Sequence, residues 1–275
     1  MVVAAVMFAL MGALVKYSAV TFGYGANELV FWRTLFSVFA LGTIAVSQRQ
    51  RFATRYAKEH ISRSVAGTLG MILFFYAISR LPLATAVTLN YTSPIFLAVL
   101  SFVVLKEKIA PHTQAMLVLG FIGIVVLLRP TFSAGQELDG LLGLLAGLCS
   151  GWAYLKVREL SLLGEPGWRV VFYFSVVATA MTGALASLEG WTTPTWASAP
   201  YLLALGLTAM VAQLCMTRAY KVGQKFTVAS LSYLTVVFST LAGVLWLGDI
   251  IHWQEIVGMG IIITSGILSS LRGSK

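Results

Sequence analysis

Residues 76–109 read YAISRLPLATAVTLNYTSPIFLAVLSFVVLKEKI. The apolar run within this stretch, about 82–104, contains one polar patch at 88–93, directly before Pro94. A helix needs roughly 20 apolar residues to cross the hydrocarbon core of a bilayer. The stretch therefore predicts a membrane-spanning helix with a polar interruption near its middle, ended by the charges at 106–108.

The rest of the chain has the same character. Of its 275 residues, 58% are hydrophobic and 11% are charged, and the mean hydropathy is +0.86. A soluble chain carries roughly 25% charged residues, and a soluble domain of this size cannot bury so much apolar surface. The composition therefore excludes a soluble enzyme and a DNA-binding domain, despite the net charge of +9. Long continuous apolar runs exclude an outer-membrane barrel, and two cysteines exclude a disulfide scaffold.

Clusters of charge and of glycine and proline divide the chain into ten apolar segments, which predicts an all-α integral membrane protein with ten transmembrane helices. The predicted spans are about 1–19, 27–47, 63–80, 82–104, 110–128, 139–158, 167–188, 200–220, 226–247 and 251–271. The connecting segments are too short for a soluble domain. The first span lacks a basic leader and a cleavage site, so it is expected to be a retained helix rather than a signal peptide.

The basic residues predict the orientation of the chain. With the N-terminus in the cytoplasm, 15 of the 19 Lys and Arg residues lie on the cytoplasmic side and only Arg80 and Arg129 lie outside. Cytoplasmic loops of inner-membrane proteins carry such an excess of positive charge. We therefore expect a multi-pass protein of the bacterial inner (plasma) membrane with both termini in the cytoplasm. The positive charge is explained by this topology, so no nucleic-acid partner is expected.

The chain also contains an internal repeat. An offset of 142 residues superimposes 77–109 on 219–251, with identical pairs that include Thr85/Thr227, Leu89/Leu231 and Tyr91/Tyr233. Glu107 and Asp249 are chemically matched at the same offset. Five spans per copy is an odd number, so the two copies must cross the membrane in opposite directions. The pattern predicts two inverted five-helix repeats, residues 1–133 and 134–275, an architecture typical of transporters that work by alternating access.

The ten spans, the short loops and the spacing from Pro94 to Leu105 and Glu107 resemble the drug/metabolite transporter superfamily, EamA family. Residues 76–109 are the most similar segment, and the resemblance covers the whole chain; within the family it is closest in pattern to the YddG-type amino acid exporters. One departure is Val236, which stands where the first repeat has Pro94. The resemblance implies export of aromatic and neutral amino acids, such as methionine and threonine. It also implies a cavity lined by the third, fourth, eighth and ninth helices and parts of the first and sixth.

Polar and aromatic side chains inside the spans are the candidate substrate-binding residues, because polar groups in a bilayer usually face a cavity or a partner helix. Pro94 should free a carbonyl near Asn90 and bend the helix, and so is a candidate for gating. Aromatic and methionine side chains would form an adaptable apolar wall; for each of them, plain helix packing stands as the alternative. The candidates for binding are Tyr76, Asn90, Tyr91, Ser93, Trp152, Tyr154, Gln213, Met216, Ser230 and Tyr233.

Two cations fall within predicted spans. Lys16 either reaches to the outer surface or binds a substrate carboxylate. Arg33 is expected to pair with Glu28 or to reach outward. The carboxylates and histidines all fall near span ends or loops, which favours facilitated diffusion without proton coupling.

The sequence thus predicts an amino acid exporter rather than an enzyme, with a small-molecule substrate and the lipid bilayer as its partners and with no cofactor or metal. It is expected to be a monomer or a weak homodimer, because the glycine pattern Gly143, Gly147 and Gly151 permits close helix packing inside the chain or between chains. Two alternatives stay open: an exporter of lipophilic drugs or other small metabolites with the same fold, and a membrane-embedded enzyme. A channel is disfavoured because the sequence has no repeated pore loops or charge rings.

Overall fold

The computed structural model of the chain describes residues 1–81, 83–130, 135–247 and 252–272. Across these ranges the chain forms α-helices and no strands. The helices are α1 (Val2–Phe22), α2 (Ala26–Ser47), α3 (Ala57–Arg80), α4 (Leu83–Asn90), α5 (Ser93–Leu105), α6 (Pro111–Leu128), α7 (Glu137–Leu162), α8 (Gly167–Glu189), α9 (Ala199–Val222), α10 (Lys225–Ser232), α11 (Leu234–Leu247) and α12 (Trp253–Arg272).

The twelve helices make ten crossings, because α4 and α5 are two parts of one crossing and α10 and α11 are two parts of another. Nine crossings in the described part of the chain have the length and hydropathy of a membrane span. The tenth is α3, whose first turns carry Lys58, Glu59 and Arg63 and so lower its mean hydropathy. The all-α membrane fold is confirmed.

The third crossing begins earlier than predicted. We expected it at residue 63, but α3 starts at Ala57. Hydropathy alone excludes a charged helical segment from a span, although that segment can lie inside the bundle when it packs against other helices. The helix is therefore 24 residues long, and Arg63 lies within it rather than in a loop.

The helices of the two repeats interlock. The offset of 142 residues relates α1 to α7, α2 to α8, α3 to α9 and α6 to α12. The main contacts between helices come in pairs related by the same offset. The contact of α3 with α7 corresponds to that of α1 with α9, and the contact of α2 with α9 corresponds to that of α3 with α8. In the same way, the contact of α5 with α7 corresponds to that of α1 with α11. The pairs α2 with α8 and α6 with α12 each join a helix to its own repeat mate. The main partners of each repeat thus belong to the other one. The predicted boundary between repeats, at residues 133 and 134, lies outside the described residues, as does Asp249.

Both broken crossings are interrupted at the same place in the repeat. The first breaks at Tyr91 and Thr92, and the second breaks at Tyr233. Thr92 keeps right-handed helical backbone angles (φ −68°, ψ −11°), so the crossing continues through the interruption, and Pro94 follows as the second residue of α5. The gating role of Pro94 stays a prediction. The second break has no proline. Helix packing around Tyr91 and Tyr233 must therefore support both breaks.

The first break lies against the glycines of α7. A Cβ atom at Gly147 would be 2.3 Å from Thr92 Oγ1 and 2.8 Å from the Leu89 carbonyl oxygen. At Gly151 it would be 2.9 Å from the carbonyl oxygen of Ser93. The small residues thus let the backbone of the broken crossing approach α7 closely. The glycine pattern is used for packing within the chain.

We predict that Gly147→Ala lowers the stability of the detergent-solubilised protein by about 1–3 kcal/mol, because the methyl group overlaps atoms of the break. The matched control is Gly12→Ala in α1, where a Cβ would have no neighbouring heavy atom within 4 Å. The control should be neutral or slightly stabilising, since alanine favours helix more than glycine does. Thermal unfolding measures both, and equal changes for the two variants would contradict the packing argument.

Candidate functional site

The two helix breaks meet inside the bundle. The rings of Tyr91 and Tyr233, which the repeat relates to each other, have centroids 6.3 Å apart. Tyr233 is fully buried, its hydroxyl has no hydrogen-bond partner, and its ring packs over Gly120 of α6. A buried hydroxyl without a partner is costly. A polar group of a substrate would relieve that cost.

The first polar patch surrounds Tyr91. Ser150 Oγ of α7 donates to Asn90 Oδ1 over 3.5 Å. Tyr154, one turn further along α7, is hydrogen-bonded to Ser93. The structure therefore brings together four of the predicted residues from two crossings, with uncharged polar groups beside aromatic rings.

The second patch is more engaged in helix packing. The hydroxyls of Ser230 and Ser265 are 3.3 Å apart, and Ser265 donates to the Met116 carbonyl. Ser232 donates to the Ala229 carbonyl one turn earlier. Met216 is buried in the same apolar cluster as Tyr220, whose ring stacks on that of Tyr154 at 5.7 Å. These contacts join α10 to α12, α12 to α6, and α9 to α7.

Three predicted residues lie away from the tyrosine pair or are engaged elsewhere. Tyr76 is 41% exposed, and Arg80 lies over its ring. Trp152 donates through Nε1 to Ser62 Oγ at 2.9 Å. Lys16 is exposed near the end of α1. Their roles in binding stay predictions.

Two arginines inside the bundle were not predicted as site residues. Arg33 is 7% exposed and Arg63 is 2% exposed. The expected pairing of Arg33 with Glu28 is wrong: Glu28 accepts instead from the backbone N–H groups of Gly25 and Thr192, and so caps the start of α2. Outward reach of Arg33 is also wrong, because its guanidinium is buried between Met11 and Met71. Arg63 contacts Gln213, which is among the predicted residues.

The signal for Arg63 was present in the sequence but was hidden by hydropathy. With a loop assigned up to residue 62, Arg63 reads as one more basic residue at a membrane surface. Because α3 begins at Ala57, Arg63 is the seventh residue of a helix and lies roughly 9 Å along it. Recognising 57–63 as helical would have placed it inside.

Polar contacts close one end of the bundle, here called the basic end. This end holds Met1 and the connections 48–56, 106–110, 163–166 and 223–224. The ammonium group of Lys225 pairs with Glu107, which joins the two repeats. Arg158 donates to the carbonyl oxygens of Tyr220 and Lys221 at the end of α9. Substrate entry from this end would require these contacts to separate.

Glu165 is the centre of a second cluster at the basic end. It accepts from Thr54, contacts His60 at 3.1 Å and pairs with Arg169 at 3.0 Å. Burial alone would raise the pKa of Glu165, but the hydrogen bonds from Thr54, His60 and Arg169 outweigh it and lower the pKa below its usual value. The cluster fastens the 48–56 connection and the start of α3 to α8.

Two surface grooves lie at the periphery and are almost entirely apolar. One is lined by residues of α5 and α6 such as Val99 and Phe102, and the other by residues of α1 and α11 such as Leu10 and Leu245. Neither offers the polar groups that a zwitterion needs. The centre of the bundle is the better candidate site.

In the described part of the chain, ten crossings from two interlocked repeats, two of them interrupted at matching positions that lie together, are typical of a membrane transporter. The model of the EamA-like transporter family matches residues 1–129 and 140–271, and the chain therefore belongs to this family. The family resemblance seen in the sequence is confirmed.

The chain is similar over its whole length to transporters with different cargoes. It is 29% identical to the pseudopaline exporter CntI of Pseudomonas aeruginosa (strain UCBPP-PA14), covering 100% of this chain and 95% of that one. It is 27% identical to a riboflavin transporter of Rhizobium johnstonii (90% and 82% covered) and 24% identical to an S-adenosylmethionine uptake transporter of Rickettsia prowazekii (86% and 80%). A crystal structure with a TM-score of 0.83 and 18% identity, covering 100% of this chain and 96% of that one, shares the fold.

We predict that Glu165→Gln destabilises the protein by about 1–3 kcal/mol at pH 7, because charge-assisted hydrogen bonds are lost. A carboxylate with a lowered pKa in the folded state stabilises above its unfolded pKa of about 4.3. That contribution is lost as the pH falls through the folded pKa. The difference in Tm between the wild type and the variant should therefore narrow from pH 7 to pH 4 and below.

The matched control is Glu159→Gln, because Glu159 is 39% exposed and pairs only with Lys156. An exposed pair of this kind contributes at most about 1 kcal/mol. If the difference in Tm between the wild type and Glu165→Gln were the same at pH 7 and pH 4, the stabilising role of the ionised Glu165 carboxylate would be refuted.

Proposed function

We propose that the protein exports aromatic and neutral amino acids, such as methionine and threonine, by alternating access through the centre of the bundle. The observation that carries the proposal is the meeting of two repeat-related helix breaks at Tyr91 and Tyr233. Broken helices at a repeat interface expose backbone and side-chain polar groups where a substrate can reach them. The relatives include both exporters and an uptake transporter, so the export direction rests on the resemblance to amino acid exporters.

The surroundings of the tyrosine pair suit an amino acid. Asn90, Ser93 and Ser150 provide uncharged hydrogen-bonding groups beside the rings of Tyr91 and Tyr154. Aromatic rings accept apolar side chains and attract an ammonium group. We assign substrate binding to this region, with Gln213, Met216, Ser230 and Tyr233 completing it from the second repeat.

Access is proposed to alternate as α4 and α5, and α10 and α11, change their angle at the breaks. The pair Lys225–Glu107 and the bonds from Arg158 to the end of α9 close the basic end in this state. The interlocked packing implies that the moving units contain helices of both repeats. Each unit would combine neighbours such as α1 with α9 or α3 with α7.

Transport is proposed to be facilitated diffusion. Proton-coupled carriers usually bury an acid near the middle of the membrane. Within the described ranges, the buried carboxylates are Glu28 and Glu165, and both lie at helix ends. We further propose that the protein acts as a monomer or weak homodimer in the bacterial inner membrane with both termini cytoplasmic. We propose no enzymatic activity, since its family is one of transporters.

An exporter of lipophilic drugs or other metabolites is the second candidate. Methionines at the centre, such as Met11, Met71 and Met216, adapt to ligands of several shapes. Two arginines next to them disfavour a cationic drug. Competition of amino acid flux by lipophilic cations distinguishes the two candidates, because only a drug exporter should show it.

We predict that purified protein in proteoliposomes exchanges labelled phenylalanine or methionine, and that Tyr91→Ala lowers the initial rate at least about tenfold. The physical reason is the loss of ring contact area and of a hydrogen-bonding group, together worth more than about 1.4 kcal/mol. The measurement is counterflow into liposomes loaded with the unlabelled amino acid.

The matched control is Phe39→Ala, because the ring of Phe39 is 67% exposed on the surface of the bundle. Its flux should equal that of the wild type. Equal flux in Tyr91→Ala and wild type would refute the site, and no exchange of any amino acid by the wild type would refute the proposed substrate.

A further inference from the structure

We propose that Arg33 and Arg63 form an anion site that binds the carboxylate of the transported substrate. The proposal deepens the function proposed above and rests on it for the identity of the anion.

Arg33 is buried without a strong acceptor. It is the eighth residue of α2, so it lies roughly 10 Å along that helix. Its Nη1 and Nη2 groups face Met11 Sδ at 2.9 Å and Met71 Sδ at 2.6 Å, and its Nε has no partner. A thioether sulfur is only a weak acceptor. Among the residues that the structure describes, no carboxylate contacts this positive charge.

Arg63 enters from the other end of the bundle and is equally unsatisfied. Its guanidinium lies over the ring of Phe174, 3.8 Å from the ring centroid, and its Nη2 donates to Gln213 Oε1 at 3.3 Å. Its Nε and Nη1 have no partner. The Gln213 amide and the Phe174 ring are the contacts of this guanidinium group, and its Nε and Nη1 atoms stay available as donors.

The two guanidinium groups lie along the same face of α3. Arg63 Nη1 lies beside Gly67, and Arg33 Nη2 contacts Met71 one turn further along the helix. No carboxylate pairs with either arginine within 1–81, 83–130, 135–247 and 252–272. Buried charges are normally paired because the desolvation of an isolated charge is unfavourable. Two like charges left together without an acid indicate that the counter-charge is supplied from outside the protein.

Other arginines of the same chain show what a structural arginine looks like here. Arg169 is bonded to both carboxylate oxygens of Glu165 and to the Arg51 carbonyl. Arg158 is bonded to two carbonyl oxygens at the end of α9. Both have strong acceptors from the protein. Within the described residues, Arg33 and Arg63 differ from them in lacking any charged or backbone carbonyl acceptor.

A carboxylate fits the free donors. A guanidinium offers a planar set of N–H groups that matches two carboxylate oxygens. The free atoms are Nε of Arg33 and Nε and Nη1 of Arg63, so one carboxylate could accept from both arginines. Helix α7 connects this site to the substrate region, because Gly67, beside Arg63 Nη1, packs against Ala153, the residue before Tyr154. An amino acid with its carboxylate at the arginines would reach toward the tyrosine pair.

The test is ligand-induced thermal stabilisation of the purified full-length protein, with phenylacetate as the probe. Phenylacetamide has the same shape without the charge, and inorganic phosphate tests whether the site prefers a different class of anion. We expect phenylacetate to raise the Tm in a saturable way, with phenylacetamide and phosphate much less effective. In Arg33→Gln and Arg63→Gln the affinity for phenylacetate should fall about tenfold or more. Arg63→Lys should retain part of the affinity for phenylacetate, since lysine keeps the positive charge but lacks the planar set of N–H donors.

The matched control is Arg55→Gln, which removes an equal charge at an exposed connection and should bind phenylacetate like the wild type. The ligand-free Tm gives an independent readout that also reports folding. Replacing Arg33 or Arg63 by Gln should leave the ligand-free Tm unchanged or raise it, because an unpaired buried charge is removed. If the arginine stabilised the fold, its replacement would lower the Tm.

Three results would overturn the proposal. One is a lower ligand-free Tm in both glutamine variants together with unchanged phenylacetate affinity. Another is equal stabilisation of the wild type by phenylacetamide and phenylacetate. The third is stabilisation by phosphate alone, which would assign the site to a different anion. These readouts do not use transport, so a wild type that binds phenylacetate through the arginines but exchanges no amino acid would refute only the proposed function.

Discussion

The absence of water in the bilayer core is the constraint on which this structure depends. Every polar group there must find its partner inside the protein. Hydroxyl side chains meet this requirement locally: Thr34, Ser161 and Thr182 each donate to a carbonyl one turn earlier. Other buried hydroxyls in the described residues, such as those of Ser64, Thr68 and Tyr220, have no partner, and neutral groups of this kind are scattered through the bundle. Arg33 and Arg63 differ from these because they are buried charges with no carboxylate in contact with them in the described residues, and they mark the candidate anion site.

Much of the fold could be predicted from the sequence because hydropathy and the repeat offset are local properties of the chain. The number of crossings and the two polar patches followed from them. The charged start of α3 did not, because its first turns are stabilised by contacts with α7 and α8 that a hydropathy scan cannot register. The misplaced helix start hid Arg63, and so half of the arginine pair was missed.

Side-chain partners were the least predictable part. Glu28 precedes Arg33 by five residues, which suggested an ion pair, but it accepts instead from the N–H of Thr192, 164 positions away. Pro94 predicted an interruption of the fourth crossing, which lies directly before it, but a matching interruption recurs at Tyr233 without a proline. In both cases a distant helix decides the outcome. The predicted roles of Tyr91 and its neighbours are compatible with the geometry and depend on binding experiments.

The interlocked packing of the repeats also bears on how such a chain is made. During synthesis α1 enters the membrane long before α9, its main partner, has been translated. Early helices must therefore hold their polar faces among lipids or provisional neighbours until the second repeat arrives. A single five-helix unit could form the same contacts only by pairing with a second copy inserted upside down. The covalent link between the repeats fixes that antiparallel arrangement and allows Pro94 and Val236 to differ between them.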